Sequence, residues 1–302
     1  MATFDEVCYN RNPDLHNKTN ESIGYLLTSE RDSDNVEFVC NKYGWTPLYY
    51  FFHGWAALDW YRGYDKTFLI KPWKQRTINK TFLAPNRIVG GERQHRLEML
   101  YWIFQLGLTN NHISCPAVCP VENISILDAV RPLKSQYPDI ETVFAKQSFP
   151  LRFKGETDHP MHSCWLSLFD ESAESMLYLV TETVATGRRH HITEKTFKPI
   201  ALSMPFVLVA TQGSLEYLRS YGFRTFGDIW DESYDTIADP HERIRAVASL
   251  LESLCKLSPQ ERQVLHKQAS EVVIHNSNHF YNGGFERVLW QELQQMLQMV
   301  NV

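Results

Sequence analysis

Glu194 and Lys195 stand side by side between a basic loop and an apolar segment. The loop before them carries Arg188 and Arg189, and the run after Pro205 reads FVLVA. Backbone N–H groups at a helix N-terminus favour an anion, and a lysine or arginine there adds a charge that binds phosphate. A carboxylate suits a neutral diol instead, because it accepts hydrogen bonds from two hydroxyl groups. The pair therefore predicts a site for a nucleoside diphosphate that carries a sugar.

A structural role is the competing interpretation of the same residues. Glutamate is common in the first turn of a helix, because its carboxylate interacts favourably with the helix dipole. Thr193 is of a residue type that caps helix N-termini. From the residues alone, both interpretations of Glu194 remain open.

The segments around this pair predict an α/β fold. The runs MLYLVTE (176–182) and PFVLVA (205–210) are continuously apolar, which is typical of parallel strands buried on both faces. They alternate with helical patterns at residues 92–108, 193–203 and 213–222. Such alternation predicts a doubly wound sheet, and ligands bind such a sheet at the carboxyl ends of its strands.

The regions on either side of this stretch predict different structure. The N-terminal region is rich in aromatic residues, and we predict strands at SIGYLLT, VEFVCN and KTFLIKP and a helix from Pro47 to Trp60. Helices follow from about Pro240 to the C-terminus. The basic segment KPWKQRTINK (71–80) marks a boundary. We therefore predict three parts, which are an acceptor domain at 1–80, a donor domain at 81–239 and C-terminal helices at 240–302 that pack across both.

Composition limits the function classes. A chain of 302 residues forms one or two domains, and a net charge of −5 argues mildly against a protein whose main task is to bind nucleic acid. No apolar stretch is long enough for a membrane span. The six cysteines are scattered, and Cys115 and Cys119 have no second pair nearby, so we expect no zinc site. We expect a cytoplasmic protein with reduced thiols, in the host cytoplasm if it is viral.

Two segments carry a resemblance to known enzymes. Residues 180–223, which include GRRHHITEKTFKPI, resemble the donor-binding segment of GT-B glycosyltransferases, among them the fucosyltransferases and the glycosyltransferase-like proteins of bacteriophages and large viruses. Residues 82–108, FLAPNRIVGGERQHRLEMLYWIFQLGL, resemble a second segment of those viral proteins. The resemblance implies a GT-B-like α/β fold of two Rossmann-like domains, with a parallel sheet in the donor domain and a small N-terminal acceptor domain.

The resemblance also implies how a donor is bound. Glu194 would bind the ribose hydroxyl groups, and Lys195 and Arg96 would contact the diphosphate. From the residues alone, Arg188 or Arg189 of the basic loop would add to the binding of phosphate. We see no Asp-x-Asp metal motif between the strands, which suits a metal-independent enzyme of this class. Positive side chains and the helix N-terminus would then stabilise the leaving diphosphate in place of a metal ion.

Three further residues match positions of the family. Asn86 would lie at the end of the first strand of the donor domain, near the same phosphates. Glu182 matches the acidic position before the loop. His191 stands where fucosyltransferases often carry tyrosine, so a contact made by that hydroxyl group is in doubt here.

A transfer that inverts configuration also needs a base, which in GT-B enzymes usually comes from the N-terminal domain. Asp59 and Asp65 lie among aromatic residues, where partial burial would raise their pKa, and His53 has a suitable ordinary pKa. We favour Asp59 slightly over His53. The alternative is a core helix on which Asp59 pairs with Arg62 on the exposed side, and a retaining transfer would need no base. Four nearby rings are candidates for stacking on a sugar or a base, namely Trp55, Trp60, Tyr61 and Tyr64.

We therefore expect a hexosyl- or pentosyltransferase that moves a sugar from a nucleotide-diphosphate sugar to an acceptor hydroxyl group. The acceptor would be a glycan, a protein or a modified base of viral DNA, and with a DNA acceptor the basic segment 71–80 would touch phosphates. No cofactor is expected beyond the donor. Two alternatives stay open. One is a nucleotide-binding protein without transferase activity, and the other is a nucleic-acid-binding module that uses aromatic residues and basic loops.

Overall fold

The protein has an α/β fold with parallel sheets. The computed structural model describes residues 2–4, 24–63, 70–153, 156 and 165–300. Asp65 and Tyr64 lie outside the described residues, and so does most of the predicted strand KTFLIKP.

The N-terminal sheet has three parallel strands in the order β1-β2-β3. These strands are β1 (Ala2–Phe4), β2 (Gly24–Thr28) and β3 (Trp45–Tyr49). Helix α1 (Asp34–Tyr43) connects β2 to β3, and helix α2 (Phe52–Tyr61) follows β3. The predicted strand SIGYLLT is thus present as β2.

The predicted strand VEFVCN is wrong, because these residues lie in α1. The Oγ of Ser33 accepts a hydrogen bond from the backbone N–H of Val36 and caps the helix N-terminus. Gly44 closes the other end in the left-handed conformation, with φ of 64°. The buried positions are Val36, Val39 and Cys40, which is the spacing of one helix face. Caps at both ends therefore outweigh the strand propensity of a short apolar run.

The predicted helix at Pro47–Trp60 begins later than expected. Residues up to Tyr49 form β3, and the helix starts at Phe52. Pro47 lies in a strand at the edge of the sheet, where its missing N–H costs no ladder hydrogen bond.

The second sheet has four parallel strands in the order β5-β4-β6-β7. They are β4 (Lys80–Ala84), β5 (His112–Ile113), β6 (Ser175–Thr181) and β7 (Phe206–Val209). Every residue of β6 and β7 is buried, as their continuous apolar sequences predict. The prediction of an α/β fold with a parallel sheet in this region is confirmed.

Helices connect these strands and complete the chain. The helix that leads from β6 to β7 is α7 (Glu194–Ala201), and it begins with the glutamate–lysine pair. The other helices are α3 (Gln94–Gln105), α4 (Ile126–Ala129), α5 (Ile140–Ala145), α6 (Phe169–Glu174), α8 (Ser214–Ser220), α9 (Pro240–Cys255), α10 (Pro259–Gln268), α11 (Ser270–Tyr281) and α12 (Gly284–Val300). Within the part of the chain described here, no helix is long and apolar enough to cross a membrane.

The last helix contacts both sheet regions through one side chain. Glu292 of α12 accepts hydrogen bonds from Arg31, at 2.6 Å, and from the backbone N–H of Phe51, at 2.8 Å. It also accepts one from the hydroxyl group of Tyr221, at 2.7 Å. One large cluster of buried apolar residues includes both Phe51, which follows β3, and Leu289 of α12. The domain boundaries at 80 and 239 stay a prediction.

Candidate functional site

The N-terminus of α7 is held by the buried carboxylate of Glu182, which directly follows β6. This carboxylate accepts hydrogen bonds from the backbone N–H groups of Thr183, Thr193 and Thr196, at 3.0 to 3.3 Å. It also accepts from the hydroxyl groups of Thr193 and Thr196, each at 2.6 Å. Glu182 therefore caps the helix that Thr193 was expected to cap. Its carboxylate is engaged within the protein rather than turned toward a ligand.

The other end of α7 is held by a cation. Arg76 donates hydrogen bonds to the carbonyl groups of Leu202 and Ser203, at 2.7 and 2.8 Å, and to that of Lys71, at 3.0 Å. Burial lowers the pKa of Arg76 to about 10. A negative cap at the N-terminus and a positive one at the C-terminus both match the helix dipole. Arg76 is thereby withdrawn from the basic segment 71–80 that was expected to touch DNA.

Glu194 and Lys195 form a close ion pair at the start of α7. The Nζ of Lys195 lies 2.7 Å from Oε1 of Glu194 and also donates to the hydroxyl groups of Thr183 and Thr193. Burial alone would raise the pKa of the Glu194 carboxyl. The Lys195 ammonium outweighs burial, and Lys198 and His53 add smaller contributions, so that the pKa falls to about 2. Glu194 is therefore ionised at neutral pH and able to accept hydrogen bonds.

Arg96 and His95 lie on α3, where both reach the same carbonyl group. The Nη2 of Arg96 and the Nε2 of His95 lie 3.0 and 2.8 Å from the carbonyl oxygen of Glu182. Burial lowers the pKa of Arg96 to about 10 and that of His95 to about 3, and in His95 the charge of Arg96 adds to the effect. His95 is thus neutral at physiological pH, and Arg96 brings a positive charge beside Lys195.

Arg96, Glu194 and Lys195 meet at one cavity by the ends of β4 and β6. The cavity encloses about 120 Å³ and is lined by residues from α3, α7, β6 and the segment that follows β4. Burial, and then the charge of Glu194, raise the pKa of Tyr178 in its wall. The charged side chains among the described residues of its lining are Arg87, Arg96, Lys195, Lys198, Glu156 and Glu194. Four cations against two carboxylates give a local potential that favours an anion.

A neighbouring cavity of about 340 Å³ shares Arg87 and Glu156 with the first. Asn86 lines this second cavity. Its side chain is internally engaged, since it donates to the carbonyl group of Ala84 and accepts from the hydroxyl group of Thr181. Asn86 therefore lies where the sequence predicts, at the end of β4, but it holds two strand ends together.

Arg188 lies on a different surface from Lys195. It forms ion pairs with Asp34 and Glu37 of α1, at 2.6 and 2.8 Å. It lines a cavity of about 590 Å³ together with His190 and other residues. The structure thus separates Arg188 from the cavity that Arg96, Glu194 and Lys195 share, because the carboxylates of α1 hold its guanidinium.

Of the two expected bases, His53 has a charge that contributes to the lowered pKa of Glu194. Asp59 was expected to be partly buried, and that is wrong, since its side chain is 66% exposed and pairs with Arg62 at 3.3 Å. The ring of His53 packs edge-on against that of His191, with centroids 5.0 Å apart. Tyr61 is fully buried, so it is not placed to stack on a sugar.

The expectation that no Asp-x-Asp motif lies between the strands is wrong. The chain does contain one Asp-x-Asp triplet, Asp32-Ser33-Asp34, directly before and within α1. Asp34 pairs with Arg188, and Asp32 lies 3.7 Å from His190. Within residues 24–63, 70–153, 156 and 165–300, no group of three histidine, cysteine or acidic side chains is arranged to hold a metal ion.

Sequence reasoning missed three residues of this region. Lys198 lies four residues after Glu194 and so shares its helix face, a spacing that the sequence does show. Arg76 was missed because its partners are backbone carbonyl groups of a distant loop. Glu30, which follows β2, was missed because the residues it approaches come from the other sheet region.

Comparison of the chain with known protein families, with curated proteins and with solved structures finds no match in any of the three.

Proposed function

We propose that this protein is a glycosyltransferase of the GT-B class that takes a sugar from a nucleotide-diphosphate donor. The observation that carries the proposal is the ion pair of Glu194 and Lys195 in a cavity at the carboxyl ends of two parallel strands. Arg96 adds a second cation from a separate helix. Parallel sheets bind ligands at this edge, against a helix N-terminus.

The two partners of the ion pair suit different parts of one donor. Lys195 and Arg96 bind the diphosphate and stabilise its charge as the sugar leaves. Glu194 stays ionised, so it accepts hydrogen bonds from the hydroxyl groups of the ribose or the sugar. When the donor enters, Lys195 exchanges its bonds to Glu194 and two threonines for bonds to phosphate.

The acceptor favoured by this arrangement is a glycan rather than DNA. Arg76, from the segment expected to contact DNA phosphates, is bonded to three carbonyl groups. Arg188 is neutralised by two carboxylates of α1. Both arginines are therefore engaged within the protein, and a net charge of −5 is unfavourable for binding a nucleic-acid backbone.

A nucleotide screen followed by a transfer assay tests this function. The chain is melted with UDP, GDP, ADP and CDP, and one diphosphate is expected to raise the melting temperature clearly. Sugar donors with that base are then assayed for hydrolysis and for transfer to glycan and hydroxymethylated DNA acceptors. Binding without hydrolysis or transfer would leave a nucleotide-binding protein and reject the enzyme.

The Lys195→Ala variant tests the assigned site within the same screen. Loss of a charged hydrogen bond costs about 1.5–3 kcal/mol, which corresponds to roughly ten- to a hundredfold weaker binding of the diphosphate. The matched control is Lys256→Ala, which removes an exposed lysine paired with Glu252. Equal affinity in the two variants would contradict the role of Lys195.

A further inference from the structure

A second buried carboxylate lies where the two sheet regions meet. Glu30 follows β2 by two residues, and its side chain has no exposed surface. The hydroxyl group of Ser33 donates to its Oε2 at 2.9 Å. Two groups from the loop before α7 approach it, since the Nδ1 of His191 lies 3.9 Å from Oε1 and a guanidinium nitrogen of Arg189 lies 4.0 Å from Oε2.

The imidazole rings continue this cluster toward the donor cavity. His191 is 1% exposed, and its ring meets that of His53 edge-on at 86°. Helix α2, which carries His53, packs against α7, and the positive form of His53 favours the ionised form of Glu194, the cavity residue that begins α7. Glu30, His191 and His53 are thus adjacent titratable groups in a series that leads from the interior of the N-terminal region toward Glu194.

The backbone holds the two sides of this series together. Arg31 and His190 form a two-way backbone bridge, with N–H to carbonyl distances of 3.1 and 2.7 Å. The residues next to this bridge are Glu30 on one side and Arg189 and His191 on the other. The spacing between Glu30 and His191 is therefore fixed by main-chain hydrogen bonds.

We propose that Glu30 and His191 position His53 as the proton acceptor of the transfer reaction, an inference that rests on the proposed function. The acceptor hydroxyl group gives its proton to a ring nitrogen of His53, and its oxygen forms the new bond to the anomeric carbon. The bond from that carbon to the diphosphate breaks, and its electron pair leaves with the diphosphate. The imidazolium formed on His53 then lies between two carboxylates, Glu30 behind His191 and Glu194 at the cavity.

The charges around the rings of His191 and His53 determine the direction in which their titration midpoints are expected to shift. Glu30 and Glu194 favour a protonated ring, whereas Arg189 opposes it from the same loop as His191. An opposite charge within about 4–6 Å shifts a titration by about 1–3 pH units. Replacing Glu30 by glutamine keeps the size of the side chain and its acceptor for Ser33, but it removes the negative charge.

Histidine titration by NMR on the full chain tests the coupling without any substrate. The signals of the two rings are assigned by their loss in His53→Asn and His191→Phe. In Glu30→Gln the midpoint of the His191 signal is expected to fall by about one pH unit, and that of His53 by a smaller amount. Glu37→Gln, which removes an exposed carboxylate, is the control and should move neither midpoint. Unmoved midpoints in Glu30→Gln would overturn the inference.

Transfer kinetics test the catalytic part. In Glu30→Gln the acid limb of the kcat profile is expected to shift to lower pH, and kcat should fall about tenfold with KM unchanged, less than the 10²–10⁴ that loss of a base costs. In the His191→Phe background the same substitution should shift the profile less. A moved NMR midpoint with an unmoved kcat profile would also overturn the inference. Absence of transfer by the unmodified chain would reject the proposed function itself, because that assay does not involve a change at Glu30.

Discussion

Two fully buried glutamates follow interior strands of the two sheets, and the protein holds them differently. Glu182 comes directly after β6, and Glu30 comes two residues after β2. Glu182 accepts five hydrogen bonds, all from backbone N–H groups and threonine hydroxyl groups. Glu30 has a serine hydroxyl group as one partner, but an imidazole and a guanidinium also approach it.

The difference between Glu182 and Glu30 shows that burial and position after a strand do not by themselves define what a glutamate does. The groups that donate to the carboxylate of Glu182 are backbone N–H and threonine hydroxyl groups, which do not titrate, and the carboxylate serves as a helix cap. Groups that titrate or carry charge approach Glu30, and we infer that its negative charge influences the protonation of the His191 and His53 rings. The same residue type at similar places in two parallel sheets therefore has a structural role in one and a proposed positioning role in the other.

The largest expected effect is the loss of stability when the buried cap Glu182 is removed, compared with the loss when an exposed helix cap is removed. In Glu182→Ala, the backbone N–H groups of Thr183 and Thr193 and the hydroxyl groups of Thr193 and Thr196 lose their acceptor, at about 1–3 kcal/mol each, so the free energy of unfolding should fall by at least about 3 kcal/mol. Urea denaturation measures the change. Glu261→Ala in the exposed capping box of α10 is the control and should cost about 1 kcal/mol. Similar losses of stability in the two variants would mean that Glu182 contributes no more than an ordinary exposed helix cap.

The next effect concerns acid stability and depends on Glu194. The pKa of its carboxyl in the folded protein, about 2, lies below the ordinary value of 4.5. Its contribution to stability is therefore complete above pH 4.5 and is lost as the pH falls through 2, by about 3 kcal/mol in all. Glu194→Gln should remove this part of the pH dependence, as measured by urea denaturation at pH 3 and pH 6. An unchanged pH dependence would show that Lys195 does not hold the charge.

The fold around the cavity that Glu194 and Lys195 line was largely predictable, because its signals are local. Apolar runs at 176–182 and 205–210 are long enough to mark buried parallel strands, and the helix between them follows from periodicity. In the N-terminal region, the signals were weaker. Ser33 and Gly44 define α1 through capping, and Pro47 is compatible with a strand only at a sheet edge, which a sequence does not reveal.

From the residues alone, the candidate site was predictable only where its residues are neighbours in sequence, and Arg96 was added by the resemblance. Glu194 and Lys195 adjoin each other and were predicted together, whereas Lys198, one helix turn later, was missed. Arg188 belongs to the same loop, but carboxylates of α1 direct it elsewhere. Contacts such as that of Glu30 with His191 join residues far apart in the chain, and no spacing rule reports them.

A smaller effect is expected from Glu30 itself on stability. Neutralising Glu30 removes the desolvation cost of a buried carboxylate, but it also removes the attraction to Arg189 at 4.0 Å. Because that contact is longer than a hydrogen bond, Glu30→Gln should cost less than a broken buried ion pair, which costs about 3–5 kcal/mol. Urea denaturation at pH 7 checks this beside Glu182→Gln, which should lose more because Glu182 has five donors to satisfy. A loss in Glu30→Gln equal to that in Glu182→Gln would mean that both carboxylates are structural and that the contrast between them fails.

The smallest effect is expected from a carboxylate that neither sheet buries. Asp59 is mostly exposed, and its pair with Arg62 at 3.3 Å lies in solvent, where such pairs contribute about 0–1 kcal/mol. Asp59→Asn should therefore leave both urea stability and the transfer rate close to those of the unmodified chain. His53→Asn, on the same helix, should lower kcat by about 10²–10⁴ if the ring accepts the proton. If the two variants exchanged these results, the base would be Asp59, and the series from Glu30 to Glu194 would have no part in the reaction.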